Sequence, residues 1–184
     1  MRTPPRVFIS YSHDSEDHRN HVQDLSKRLL ADGIDCRLDE YEPSPPEGWP
    51  RWMSTQIDQA EFVLVICTET YNRRADGKES PGIGHGANWE GLLITQQIFE
   101  DAGRNNKFIP VLLRESDALH VPKFLKPYSR YCVETPKGLK ENEGQVLQFN
   151  ISRRGRGSGS SGCFGLSRAC GSTNERDQPA PRIR

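Results

Sequence analysis

Seven residues have the side chains that binding or cleaving a small polar molecule would need: Ser10, Tyr11, Ser12, Arg51, Trp52, Trp89 and Glu90. Glu90 is the candidate for catalysis. It falls in the first turn of an expected helix, where the macrodipole favours negative charge, so it is expected to be ionised. An ionised carboxylate suits a stabiliser of positive charge or a nucleophile, not a general acid. Ser10, Tyr11 and Ser12 leave the first expected strand together, and their hydroxyls and backbone donors could hold a ribose or a phosphate. Turn formation and helix capping explain the same residues equally well. Arg51 and Trp52 open a second helix near that rim. Arg51 could bind a phosphate or be a plain exposed arginine, and Trp89 could wall a site or belong to the core.

The elements that would position these residues follow from periodicity. Arg6–Ser10 reads as a strand. Val22, Leu25, Leu29 and Leu30 give one apolar helical face over Glu16–Ala31, with Asp14, Glu16 and Asp17 at its start and Gly33 suited to its left-handed end. Ile34–Leu38 alternates as an outer strand does. Residues 39–48 form a loop rich in Pro and acid, and Trp49-Pro50 opens the next helix. Phe62–Cys67 is continuously apolar, as a strand covered on both faces is. Residues 68–87 are expected to be one long loop ending in Gly82-x-Gly84-x-Gly86, better read as a lid than as an anion-binding loop. Trp89–Ala102 is expected to be helical and capped by Asn88. Lys107–Leu113 is the fourth strand, with Pro110 arguing for an edge or a bulge, and Ser129–Val133 a weak fifth. This alternation predicts an α/β, flavodoxin-like parallel five-stranded sheet in the order 2-1-3-4-5, with helices on both faces and a crevice between strands one and three.

The chain of 184 residues has zero net charge, unevenly divided. Residues 1–150 hold 18 Lys+Arg against 23 Asp+Glu, and residues 151–184 hold 7 Arg against 2 acids. Expected boundaries are an extension at 1–5, a domain at 6–137 and a Gly/Ser/Arg-rich tail at 138–184, with disorder from about 150 onward. No convincing closing helix follows the last strand. Cys36, Cys67 and Cys132 lie in expected strands, and none of the five cysteines forms a C-x-x-C pair, so reduced thiols are expected. No apolar run is long enough to span a membrane and no leader is evident. The expected location is cytoplasmic. His18 and His21 have no supporting carboxylate or cysteine cluster for a metal, and the arginine-rich tail lacks the interleaved aromatics of a nucleic-acid binder.

Ordered blocks of sequence carry a family resemblance. Val7-Phe8-Ile9-Ser10-Tyr11-Ser12-His13-Asp14-Ser15 resembles box 1 of the SEFIR domains, relatives of the TIR domains. Gly33–Asp39 with Tyr41-Glu42, Trp49–Met53, Ala60–Thr68, Trp89-Glu90-Gly91 with Leu93-Ile94, and Lys107–Val111 follow in register, over roughly 6–133. The chain is most similar to prokaryotic SEFIR proteins. The resemblance implies a flavodoxin-like fold, homotypic association with other SEFIR or TIR domains, homo-oligomerisation on activation and immune signalling, which in bacteria means antiphage defence.

Some relatives cleave or deplete NAD+, so NAD+ is implied as a possible substrate, with no resident cofactor and no metal. Breaking the nicotinamide–ribose bond releases a neutral leaving group from a cation. The site needs a carboxylate near the ribose, an aromatic wall and donors for the diphosphate. TIR hydrolases place the acid four residues after the corresponding Trp, where this chain has Leu93. Glu90 stands one residue after Trp89, about one turn earlier on nearly the same face. The alternative is a non-catalytic adaptor that assembles through the 39–48 loop and neighbouring helix faces.

Overall fold

The computed structural model describes residues 4–78 and 85–133, with the side chains of 85–89 excepted. Five strands form one parallel sheet: β1 (Arg6–Ser10), β2 (Asp35–Arg37), β3 (Phe62–Ile66), β4 (Phe108–Leu112) and β5 (Tyr131–Cys132), in the order β2-β1-β3-β4-β5. This is the expected order. Four helices join them: α1 (Glu16–Ala31), α2 (Trp49–Gln59), α3 (Glu69–Ala75) and α4 (His85–Glu100).

Alternation along the strands sorts the core into two layers. Val7, Ile9, Leu64, Ile66, Ile109 and Val111 pack with Val22, Leu25 and Leu29 of α1. Phe8, Val63, Val65, Phe108 and Leu112 pack with Trp52 and Ile57 of α2, Tyr71 of α3, and Ile94 and Ile98 of α4. β3 and β4 are therefore apolar at every position because both faces are covered. α1 is bounded as its sequence requires: the Ser15 hydroxyl accepts from the His18 amide at 3.1 Å, and Gly33 takes the left-handed φ of 79° beyond the last turn.

Three expectations need correction. Residues 68–87 are not one loop. Thr68 caps α3, its hydroxyl accepting from the Tyr71 amide at 3.1 Å, and α3 occupies Glu69–Ala75. Its apolar signal is weak because Tyr71 is its one fully packed side chain. Next, α4 begins at His85, four residues before the expected Trp89. Finally, Pro110 lies in β4, an interior strand paired to β3 through Val65 and flanked by β5. Val63 and Cys67 donate to the carbonyls of Lys107 and Val111, while Val133 donates to Leu112, so odd positions of β4 face β3 and even ones face β5. The missing Pro110 donor thus points towards β5, one position before that pairing begins at Val111.

The same side of Phe108 is satisfied without a strand. Its amide donates to Asn105 Oδ1 at 2.7 Å, and its carbonyl accepts from Asn105 Nδ2 at 2.7 Å. One side-chain amide substitutes for a ladder partner. Asn105→Ala is expected to destabilise the domain by about 1–3 kcal/mol, the range for orphaned backbone groups, read by urea denaturation. An unchanged midpoint would mean that water replaces the amide freely.

Cys36 and Cys67 are buried thiols, pushed by burial up to about 11 and about 12 respectively. No helix among the described residues is long and apolar enough to cross a membrane. The tail at 138–184, with Cys163, Cys170 and any closing helix, lies outside the described residues, as do Gly82 and Gly84.

Candidate functional site

The site lies at the carboxyl end of β1, where the chain leaves towards β2 by one face and where β3 adjoins it on the other side. Ligand crevices open at such a switch point in parallel α/β sheets. Ser10 is the last residue of β1 and, like Phe8, points to the layer of α2, α3 and α4. Its Oγ lies 2.7 Å from Tyr71 Oη and donates to Glu90 Oε2. Three elements distant in sequence therefore meet at one hydroxyl. Ser10 and Tyr71 are fully buried and Glu90 is 6% exposed.

Glu90 departs from the sequence expectation. Its carboxyl is pushed up to about 8, by burial first, with the Ser10 hydroxyl pulling it down and the Asp39 charge pushing it up. Burial thus favours the protonated acid over the carboxylate. The reason is the helix start. With α4 opening at His85, Glu90 sits in the second turn, where the dipole has faded, and desolvation prevails. Tyr71 also stays protonated, its hydroxyl raised by burial and then by the Glu90 charge.

Ser12 lies beside this group. Its hydroxyl donates to Asp14 Oδ1 and lies 3.2 Å from the Thr68 hydroxyl that caps α3. Tyr11 turns the other way, into the α1 layer. Its ring lies 4.9 Å from that of His13, and burial, then Asp39 and Glu40, raise its hydroxyl. His13 bonds Asp39 Oδ2 at 2.8 Å, tying the turn after β1 to the short 3-10 helix at Asp39–Tyr41. That bond raises the imidazole above its ordinary value.

The sequence-expected residues are thus only partly assembled. Ser10, Ser12 and Glu90 share one end of β1. Tyr11 is on the opposite face. Trp52 is buried in the core, edge-on to Phe8 at 6.0 Å and to Trp49 at 5.6 Å, two residues down the strand from Ser10 on the same face. Arg51 is exposed on the first turn of α2, where its carbonyl accepts from Thr55. Trp89 belongs to α4, but its side chain lies outside the described residues. Sequence reasoning missed Tyr71 and Thr68. The signal for them was Thr68-Glu69, a capping residue followed by a first-turn acid, with Arg73 and Arg74 closing the turn.

Chemically, the group is a proton-holding chain of phenol, alcohol and carboxyl. Among the described residues no cluster of three or more His, Cys, Asp or Glu could hold a metal ion. Ser10, Ser12 and Thr68 bring three buried hydroxyls to this end of the sheet.

The chain is 28% identical over 142 residues to human interleukin-17 receptor D, and 27% identical over the same length to the mouse protein (Mus musculus). These matches cover 73% of this chain and 18% of each receptor, so the chain spans under a fifth of the length of the curated relatives it matches. Among solved structures it is similar to a prokaryotic SEFIR domain at 32% identity and a TM-score of 0.60, covering 80% of this chain and 98% of that one. Residues 5–140 match the SEFIR domain family, and the chain belongs to it.

Proposed function

We propose that this SEFIR domain, a signalling and protein-interaction module, acts in immune signalling by associating with like domains, and that the assembled form cleaves the nicotinamide–ribose bond of NAD+ at Glu90. The observation that supports the reading is a buried acid bonded to Ser10 at the switch point of the sheet, where a structural role would be filled by an amide or an apolar residue. In the reaction the C1′–N bond breaks and its electron pair neutralises the pyridinium, so nicotinamide leaves without a proton. Ionised Glu90 holds the ribose hydroxyls and stabilises the oxocarbenium-like centre. Water attacks C1′ and gives up a proton to solvent.

That chemistry needs the carboxylate, and the described state holds the acid protonated and closed. Activity therefore requires opening of the crevice, which hydrates Glu90 and lowers it into the ionised range. Assembly is the proposed cause of opening.

Concentrated protein incubated with NAD+ should release nicotinamide, and Glu90→Ala should lose at least ~100-fold of that rate. No release from the assembled wild type would remove the enzyme reading. Equal release from both proteins would remove Glu90 from it. The closure of the crevice itself favours a second reading, a non-catalytic adaptor in which Glu90 and Ser10 only hold α4 to β1.

A further inference from the structure

We propose that Tyr71 is a positioning residue for Glu90: through Ser10 its hydroxyl fixes which carboxyl oxygen of Glu90 is held by the protein and which is left for substrate. As a statement about catalysis this rests on the NAD+ reading above, but the geometry stands apart from it. Ser10 has one proton. When Glu90 is ionised it accepts only, so Ser10 gives that proton to Oε2 and must accept from Tyr71. The direction of both bonds is then determined. Tyr71 polarises Ser10, Ser10 holds Oε2, and Oε1 is the oxygen that Ser10 does not hold.

α3 is built to deliver this one group. Tyr71 is its fully buried side chain, and the Tyr71 amide is fastened by Thr68. Ala75 at its other end lies where a Cβ on Gly91, the residue after Glu90, would meet it at 2.9 Å. The helix that carries the phenol and the helix that carries the acid are thus set against each other within one residue of the site. A purely apolar role for Tyr71 would not place its hydroxyl 2.7 Å from Ser10. The other groups that act on this pair are the Asp39 charge, which pushes Glu90 up, and Cys67, which adds to the raising of Tyr71.

The test is the titration of Glu90 itself, followed by carbon-13 NMR of glutamate-labelled full chain. Tyr71→Phe keeps the ring and removes the hydroxyl. Glu90 should then titrate about one pH unit higher than in wild type, because the Ser10 donor is weakened. Ser10→Ala should raise it at least as far, and Tyr71→Phe should add nothing on that background. Fluorotyrosine in place of Tyr71, a stronger donor of nearly unchanged size, should move Glu90 the opposite way. It also serves if Tyr71→Phe does not fold. In nicotinamide release, Tyr71→Phe should lower kcat about tenfold with KM unchanged and shift the pH profile upward with the titration.

A Glu90 titration that superimposes on wild type in Tyr71→Phe, or one unmoved by fluorotyrosine, overturns the proposal. So do additive effects of the Tyr71 and Ser10 substitutions. Absence of nicotinamide release from wild type would remove the NAD+ reading alone, since the titration is read without turnover.

Discussion

Glu90→Gln is expected to make the domain more stable at pH 9, by several kcal/mol and at most about 5, while leaving stability at pH 4 nearly unchanged. The sign follows from the two ionisation ranges. In the unfolded chain Glu90 loses its proton near the ordinary value of 4.5, and in the folded chain near 8. Between them the unfolded state releases a proton that the folded state keeps, so each pH unit favours unfolding by about 1.4 kcal/mol. Below that window both states are protonated and the native acid is fully favourable. Above it both are ionised and the loss is complete. Gln cannot titrate, yet its carbonyl still accepts from Ser10. Urea denaturation of both proteins at pH 4, 6, 7.5 and 9 checks this, with the other titrating groups cancelling in the difference. Parallel curves would mean that Glu90 is hydrated and ionised in the native state.

A domain of ordinary stability holds about 5–15 kcal/mol in total. An acid that removes a sizeable part of that at alkaline pH is hard to explain by packing alone, because an amide would serve packing better. The proposed NAD+-cleaving site would account for such an acid, as stability sacrificed to function. The same reasoning tells the two functional readings apart. An adaptor gains from Glu90→Gln in stability and loses nothing in association. An NAD+-cleaving enzyme gains the stability and loses the reaction.

Much of the fold could be read because its signals are local. β1, α1, the start of α2 and the apolar run of β3 follow from period and caps within a few residues, and the sheet order follows from the alternation of elements. α3 could not be read from an apolar face, because Tyr71 supplies almost all of it. Pro110 misled because its consequence depends on which side of β4 its nitrogen faces, and that is settled by the register with β5. The candidate site was legible only in its parts. Ser10 could be named from its place at the end of β1, and Glu90 from a helix start expected at Trp89. Their bond spans 80 residues and the Ser10–Tyr71 contact spans 61, and no spacing rule reaches across two crossovers. The charge state of Glu90 was misjudged for a related reason. Shifting a helix start by four residues moves an acid from the first turn to the second, and burial then decides.

Gly91 links the stability of this arrangement to its chemistry. A Cβ at that position would lie 2.9 Å from Ala75 Cβ, 3.0 Å from Ala75 Cα and 3.2 Å from the Ala75 carbonyl oxygen. Two of those three atoms are backbone and cannot rotate aside, so α3 and α4 must separate to admit any side chain. Gly91→Ala gains about 1 kcal/mol in helix propensity and faces about 1–3 kcal/mol of overpacking, so a net loss of roughly 1 kcal/mol is expected. Gly91→Val adds a branched side chain at the same contact and is expected to lose about 3 kcal/mol or more. Ala75→Gly should restore only part of either loss, since it removes the 2.9 Å contact and leaves the other two. Thermal unfolding reads these losses, and a Gly91→Ala protein as stable as wild type would mean that the two helices do not touch there. The same displacement carries Glu90 away from Ser10 and Tyr71 and lets water reach it. In Gly91→Ala the Glu90 carboxyl should therefore titrate nearer the ordinary range, whereas Tyr71→Phe moves it further away. Loosening the helix pair and weakening the hydroxyl relay thus displace one acid in opposite directions, which separates the packing role of α3 from its role in holding Glu90.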